Sequence, residues 1–399
     1  MKLIREEIAA MEDSPILDVW RMGFSVPDVI GLWAGEPDIP TPPFICDAAI
    51  AALRAGHTFY THNRGIPELR AAIRRYILRL YGQDISDDRI AVTNAGMNAV
   101  QIICQALLGA GSKAVAITPS WPNIMRAMTI SGAEVVEVAL RRSDTGWSLD
   151  LDAVAAACGP GVKVLYLASP ANPTGWAITR PEAQAILELT RARGIALISD
   201  EVYHRIVYDR AVAFSFLELA GPGDALFVVN SFSKSWAMTG WRLGWFIYPE
   251  GFTQTAEKLI QFNTSGGQAF LQHGAVAALD EGEAFVAEFV ERCRVGRAIV
   301  ARRLAAMDRV REVASNGSFY SMFEVDGVGD TVAFCKDVVV AARVGLAPGR
   351  AFGKGAERLI RLCYAKSPAN LETAMDRLEA YLAGQSAPLQ RQRDPVGAK

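Results

Sequence analysis

A lysine that directly follows an apolar run offers the clearest chemistry in this sequence. The run ALFVVNS (225–231) predicts a buried strand, and Lys234 follows it between Ser233 and Ser235. A lysine at the carboxyl end of such a strand faces a partly desolvated cleft, which lowers the pKa of its amine and makes it a nucleophile. Arg242, further along, is a fixed cation that suits a phosphate. Taken alone, Lys234 is more simply interpreted as a surface-loop lysine.

Three further residues with useful chemistry follow other predicted strands. Asp200 ends the run IALISD (195–200), where a buried carboxylate needs a cationic partner such as a protonated ring nitrogen. Asn172, in the rigid turn SPANPTG (169–175), could hold a phenolic oxygen or a carboxylate by its amide. Trp121 could stack on a planar ring. The structural alternatives are a helix N-cap, a plain turn and a partly buried core tryptophan, respectively.

Two features could bind anions. The segment VTNAGMNAV (92–100) passes from strand to helix through Ala95 and Gly96, and free N–H groups at a helix N-terminus bind anions. It lacks the GxGxxG and GxxxxGK[ST] patterns, so a tight turn is the simpler interpretation. Arg361, in the predicted strand LIRLCYA (359–365), could clamp a carboxylate or form an internal salt bridge. Together, these groups are suited to pyridoxal phosphate acting on amino acids.

Strand-like and helix-like segments alternate over the middle of the chain, which predicts an α/β fold with a mostly parallel sheet covered by helices on both faces. Ligands bind beyond the carboxyl ends of such strands, so we expect the residues above to converge. The strand-like runs are 89–93, 113–118, 134–138, 162–169, 195–200 and 225–231, and the helix-like runs are 42–55, 67–81, 96–108, 121–131 and 181–193. After about residue 280, a smaller α+β domain is predicted from helices at 283–308, 331–344 and 369–383 and strands at 319–325 and 358–365.

The composition excludes several classes of protein. The 399 residues include 41 Lys+Arg and 43 Asp+Glu, a net charge of −2, without the basic surplus of a nucleic-acid binder. The hydrophobic fraction of 51% excludes a disordered chain, and the apolar runs are too short to span a membrane. The N-terminus, MKLIREEIAAMEDS, resembles neither a signal nor a transit peptide. Six scattered cysteines and four histidines predict no metal site, and we expect a reduced, cytoplasmic protein.

The order of the motifs resembles one family closely. The motifs are GEPD (35–38), FYTHNRGIPELR (59–70), NPTG (172–175), SDEVY (199–203) and SFSKSWAMTGWRLGW (231–245). The chain is similar to the fold-type-I, pyridoxal-phosphate-dependent aminotransferases of class I/II, the aspartate-aminotransferase-like family, over about residues 15–385. The resemblance implies ping-pong transfer of an amino group between an L-amino acid and a 2-oxo acid.

The resemblance also implies a domain organisation. A large pyridoxal-phosphate-binding domain would span 47–285, and a small domain would combine 1–46 with 286–385. The polar tail at 386–399, which contains proline, is predicted to be disordered. Homodimers with shared active sites are the expected assembly.

The same resemblance implies roles for the residues that match its motifs. Lys234 would form the Schiff base with the cofactor and then carry a proton to and from the substrate. Asp200 would pair with the ring nitrogen. Tyr203 and Asn172 would hydrogen-bond the phenolic oxygen, and Trp121 would stack on the ring. The expected catalytic residues are therefore Lys234, Asp200 and Tyr203.

The remaining implied contacts concern the phosphate and the substrate. Tyr60 would reach the phosphate of the neighbouring subunit. Arg361 would bind the substrate α-carboxylate, with Gly35 and Asn172 beside it. Many relatives have a hydroxyl or basic side chain near Ala95 or Met97, so those two side-chain contacts are not expected here. The phosphate would bind the backbone of Ala95, Gly96 and Met97, together with Ser231, Ser233 and Arg242.

Three alternative functions use parts of the same pattern. A lyase acting at Cβ or Cγ, or a synthase of the aminocyclopropane-carboxylate type, would need the same residues. A pyridoxal-phosphate-sensing transcription regulator would carry a helix-turn-helix domain for which the residues before Gly35 leave no room. The Ser231-x-x-Lys234 pattern of serine acyl-enzymes is not followed by KTG.

The substrate side chain is left open by the sequence. Candidate cations for a distal carboxylate are Arg64, Arg126 and His57. The apolar residues Leu17, Trp20 and Trp33 instead leave room for a hydrophobic or aromatic side chain.

Overall fold

A computed structural model describes residues 3–143 and 145–384. The predicted disorder of 386–399 concerns residues outside this described part. The helices are α1 (Glu6–Ala9), α2 (Pro15–Gly23), α3 (Pro43–Arg54), α4 (Pro67–Tyr81), α5 (Gly96–Leu107), α6 (Pro122–Ile130), α7 (Leu151–Ala157), α8 (Arg180–Arg193), α9 (Phe232–Ser235), α10 (Thr253–Thr264), α11 (Ala269–Glu281), α12 (Glu283–Ala305), α13 (Thr331–Ala342) and α14 (Pro368–Leu382). The strands are β1 (Ile30–Gly31), β2 (Ile90–Thr93), β3 (Lys113–Thr118), β4 (Glu134–Ala139), β5 (Arg141–Ser143), β6 (Gly146–Ser148), β7 (Val162–Ala168), β8 (Ala196–Asp200), β9 (Leu226–Ser231), β10 (Gly244–Ile247), β11 (Val310–Val313), β12 (Tyr320–Val325), β13 (Val344–Gly345), β14 (Ala347–Pro348) and β15 (Leu359–Cys363).

Seven strands form the central sheet in the order β2-β10-β9-β8-β7-β3-β4. All neighbours are parallel except β10, which is antiparallel to both β2 and β9. Alternate residues of the strands join two hydrophobic clusters, so Trp245 and Ile247 enter one and Phe246 enters the other. Helices therefore cover both faces, which explains why the strands are continuously apolar. The predicted mostly parallel α/β sheet is confirmed.

Local sequence signals define several of the helices that cover this sheet. Helix α4 begins at Pro67 and ends before Gly82, whose φ of 68° is left-handed. Helix α8 begins with a capping box in which Thr179 and Glu182 each bond the other's backbone. Strand β10 and helices α10 and α11 were not predicted, and β10 is only four residues long. A run so short carries little periodicity.

A second, antiparallel sheet has the order β11-β12-β15-β14. The N-terminal segment packs with this part of the chain, because β1 pairs with β13 and Val19, Leu32 and Trp33 belong to the same hydrophobic cluster as β12 and β15. The pairing joins Ile30 and Gly31 to Val344 and Gly345. The domain boundaries near residues 47 and 285 stay a prediction.

Gly244 shows how tightly the central sheet approaches the start of α5. A Cβ on Gly244 would lie 2.5 Å from the Gly96 nitrogen and 2.8 Å from the Asn230 carbonyl oxygen. These are backbone atoms, so they cannot rotate aside. We therefore expect Gly244→Ala to lower the free energy of unfolding by about 1–3 kcal/mol through overpacking.

Gly109→Ala is the matched control, because a Cβ there would meet no atom within 4 Å. Chemical denaturation of both variants and the wild-type chain measures the difference. Equal unfolding free energies for the two variants would contradict the tight approach of β10 to α5.

Candidate active site

The predicted site residues meet in one cavity of about 290 Å³ at the carboxyl ends of the parallel strands. This volume is close to the lower end of the usual range for small-molecule sites, roughly 300–1,000 Å³. The predicted residues that line it are Gly35, Ala95, Gly96, Met97, Trp121, Asn172, Asp200, Tyr203, Ser231, Ser233, Lys234, Arg242 and Arg361. Tyr60 does not line it.

Lys234 lies at the centre of this cavity, in the short helix α9 that follows β9. Its Nζ atom donates a hydrogen bond to the Gly35 carbonyl oxygen at 2.8 Å. Burial, assisted by the nearby Arg361 and Arg242 guanidinium groups, lowers the pKa of the amine to about 8. The interpretation of Lys234 as a surface-loop lysine is therefore wrong.

Asp200 is the last residue of β8, and its side chain is buried. The Tyr166 hydroxyl donates to its Oδ2 atom at 3.1 Å, and the Val202 N–H donates to its Oδ1 atom at 3.3 Å. Burial raises the pKa of this carboxyl to about 6, although both hydrogen bonds and Lys234 oppose the rise. Turn residues rather than a helix follow Asp200, so the N-cap alternative is wrong.

The start of α5 lines the cavity with Ala95, Gly96 and Met97. Ala95 has a φ of 84°, and no acceptor among the described residues receives the N–H groups of Gly96 and Met97. The Ser231 hydroxyl donates to the Ser233 hydroxyl at 3.0 Å. The exposed Arg242 donates to a backbone carbonyl and pairs with no carboxylate of the described residues. The unused N–H groups of Gly96 and Met97, together with the remaining N–H groups of Arg242, are suited to bind an anion.

Arg361 also lines the cavity. Its guanidinium donates to the Asn172 side-chain oxygen at 3.0 Å and to the Trp33 carbonyl oxygen. The rings of Tyr320 and Phe352 lie 4.5 and 4.8 Å from its Cζ atom. Arg361 forms no salt bridge within the described residues, so the internal salt bridge considered above is wrong. A buried cation without an acidic partner is suited to a carboxylate ligand.

Eight cavity residues were missed by the sequence analysis: Ile16, Ala34, Val100, Ile124, Tyr166, Ala168, Val202 and Tyr320. Tyr320 has its hydroxyl 2.6 Å from the Tyr203 hydroxyl, and a Cβ on Gly35 would overlap the Tyr320 hydroxyl. Tyr166 contacts Asp200, and Ile16 lines the cavity from the N-terminal helix α2. Neither tyrosine lies in a sequence motif, and each is a single hydroxyl-bearing ring within a buried strand, so the sequence offered no specific signal for them.

Several predicted residues lie outside the cavity. Tyr60 is 92% exposed. Arg64 is buried, and its guanidinium donates hydrogen bonds to Glu257 at 2.8 Å and to Asp88 at 3.2 Å, outside the cavity. The remaining candidates for the substrate side chain that do not line the cavity are Arg126, His57, Leu17 and Trp20.

Comparison with known proteins agrees with this architecture. The family model for aminotransferases of class I and II matches residues 27–378. Aspartate aminotransferase from Thermotoga maritima is 34% identical over 358 residues, covering 89% of this chain and 92% of the relative. The aspartate aminotransferase of Pyrococcus horikoshii is 30% identical over 385 residues, covering 96% and 98%. The solved structure of Thermus thermophilus aspartate aminotransferase, 30% identical, superimposes with a TM-score of 0.87 over 95% of this chain and 99% of that chain.

The chain therefore belongs to the class I and II aminotransferases, enzymes that transfer an amino group between amino acids and oxo acids. This result confirms the predicted aminotransferase activity. Members of this family generally depend on pyridoxal 5′-phosphate. Among the helices of the described residues, none is both long and apolar enough to cross a membrane.

Proposed function

We propose that the chain is a pyridoxal-phosphate-dependent aminotransferase in which Lys234 bonds the cofactor and carries the proton between the steps of a ping-pong reaction. The observation that carries the proposal is the partly buried Lys234 amine, which shares one cavity with the start of α5, suited to an anion, and with Arg361, suited to a carboxylate. A cytoplasmic location remains part of the proposal, supported by six cysteines that are all free.

The cavity fits the cofactor in its donor set. The unpaired N–H groups of Gly96 and Met97, with Ser231, Ser233 and Arg242, suit a phosphate. The buried Asp200 suits a protonated ring nitrogen, because it has two hydrogen-bond donors but no cation within 4 Å in the described residues.

The protein's own residues supply orientation and proton transfer. The bound cofactor supplies a protonated ring that withdraws electrons from the substrate α-carbon. Arg361 holds the α-carboxylate and thereby orients the Cα–H bond. Lys234 accepts and returns the proton at that carbon, and burial helps by raising the fraction of free amine. Asp200 holds the proton on the ring nitrogen, and Tyr203 with Asn172 hydrogen-bonds the phenolic oxygen.

Lys234→Ala should abolish the visible absorbance of the lysine-bound cofactor and reduce turnover by roughly 10²–10⁴-fold or more, because a positioned proton carrier contributes that much. Absorbance spectra and steady-state kinetics measure both effects. The control is Lys258→Ala, at an exposed lysine of α10, which should keep both properties. A fully active Lys234→Ala enzyme would refute the assignment.

The amino donor proposed here has an apolar side chain. Three cations line the cavity in the described part of the chain: Lys234, Arg242 and Arg361. Each already has a proposed partner, so none is left for a carboxylate on the substrate side chain. The cavity is also lined by the apolar side chains of Ile16, Trp33 and Met97. The relatives named above are aspartate aminotransferases, so the amino donor proposed for this chain differs from the one in their names.

A panel of amino-donor half-reactions tests this preference. Leucine, methionine and phenylalanine should react with a kcat/KM at least roughly tenfold above that of aspartate, since a carboxylate against apolar residues loses its hydration without compensation. Arg361→Lys is the control variant. It should raise KM for every donor alike, because it weakens the clamp on the shared α-carboxylate. Faster reaction with aspartate would overturn the proposed preference.

The working unit proposed here is a homodimer in which Tyr60 completes the partner's phosphate site. The side chains of Phe59, Tyr60 and Phe262 are 85%, 92% and 76% exposed, which is unusual for large aromatic residues. Tyr60 lies outside the cavity of its own subunit. A second copy of the chain would bury these rings and bring Tyr60 to the start of α5.

Mixed dimers test the exchange of Tyr60. Tyr60→Ala should weaken cofactor binding roughly tenfold, because one hydrogen bond to a charged phosphate is lost. A dimer of one Tyr60→Ala and one Lys234→Ala subunit should then hold one site with both native residues. That site should bind the cofactor with wild-type affinity, measured by the lysine-bound absorbance. Mixed dimers that bind no better than Tyr60→Ala dimers, or a monomer in sedimentation, would contradict the proposal.

A further inference from the structure

Tyr166 contacts the charged centre of the site, but no role has been assigned to it above. It lies on β7, and Asp200 lies at the end of the neighbouring parallel strand β8. The register pairs Tyr166 with Ile198 and Ala168 with Asp200, so the two side chains project from the same face of the sheet, two residues apart. The Tyr166 hydroxyl reaches the Asp200 Oδ2 atom at 3.1 Å.

The surroundings of Asp200 make this hydrogen bond important. Asp200 accepts from one other donor, the Val202 N–H, and no cation lies within salt-bridge distance in the described residues. Tyr166 is 1% exposed, and burial raises the pKa of its hydroxyl well above the usual value. Tyr166 therefore stays protonated, and it remains a donor to Asp200 across the whole functional pH range.

We propose that Tyr166 is a positioning residue that keeps Asp200 ionised and fixed in orientation toward the ring nitrogen of the cofactor. The proposal rests on the proposed function, because it assumes that Asp200 pairs with that nitrogen. Tyr166 itself acts through Asp200. The Tyr166 hydroxyl is neutral, so it orients the Asp200 carboxylate without neutralising the negative charge that would pair with the ring nitrogen.

The physical consequence of losing the hydroxyl follows from the burial of Asp200. Burial already raises the pKa of this carboxyl to about 6, and the Tyr166 hydrogen bond opposes the rise. Without the hydrogen bond, the pKa of Asp200 should rise further, so a larger fraction of Asp200 is protonated and neutral near pH 7. A neutral Asp200 cannot stabilise the protonated ring nitrogen by its charge, so the cofactor should bind more weakly. As the pH falls, activity should then be lost at a higher pH than in the wild type.

The test compares the holoenzymes of the wild type, Tyr166→Phe and Tyr248→Phe. Tyr248 is the matched control, because it belongs to the same hydrophobic cluster as Tyr166 and its buried hydroxyl has no hydrogen-bond partner in the described residues. In Tyr166→Phe, the acid limb of kcat/KM should move up by about one pH unit, and cofactor release on dilution should accelerate roughly tenfold, as expected for a lost hydrogen bond to a charged group. Tyr248→Phe should change neither quantity.

A double-mutant cycle shows whether the effect passes through Asp200. Asp200→Asn removes the carboxylate charge, so adding Tyr166→Phe to it should not accelerate cofactor release further. An equal acceleration in both backgrounds would overturn the proposal, as would a Tyr166→Phe enzyme whose acid limb and cofactor release match those of the wild type. A shift of the same size in Tyr248→Phe would show a general packing effect and would also overturn it.

The wild-type spectrum distinguishes this proposal from the function on which it rests. A wild-type protein without lysine-bound cofactor would refute both. A wild-type holoenzyme with unchanged Tyr166→Phe behaviour would refute only the role of Tyr166.

Discussion

Removal of water from a few charged side chains at one edge of the central sheet is the constraint on which the site depends. Burial lowers the pKa of Lys234 to about 8 and raises that of Asp200 to about 6, because it penalises the charged form of each group. Arg361 is buried beside two aromatic rings, and no carboxylate of the described residues pairs with it. Charges left unpaired in this way disfavour folding, and a ligand with complementary charges compensates for them.

The two sheets and the N-terminal segment create this environment together. Lys234 comes from the end of β9, and Arg361 comes from β15 of the second sheet. Pairing of β1 with β13 brings Gly35 within hydrogen-bond distance of Lys234. Gly35 must be a glycine here, because a Cβ would overlap the Tyr320 hydroxyl. The cavity is thus closed by segments that are more than one hundred residues apart in the chain.

The proposed assignments divide the cavity by charge. The start of α5, proposed to bind a phosphate, and Arg361, proposed to bind a carboxylate, line the same cavity as Lys234, which suits an adduct that carries both groups. Among the described residues that line the cavity, Asp200 is the one acidic side chain. The net charge of −2 shows that this local concentration of cations is not a property of the whole chain.

The sequence by itself determined the α/β class, most strands of the central sheet and the polar residues of the cavity apart from Tyr166 and Tyr320, but not most of its apolar lining. It could do so because continuous apolar runs reveal buried parallel strands, and functional residues follow their carboxyl ends. Only the tertiary structure decided the contact partners. Tyr166 and Asp200 are separated by 34 positions in the sequence, and Tyr203 and Tyr320 by 117, so no local pattern could pair them. The pKa shifts likewise depend on burial, which neighbouring residues in the sequence do not specify.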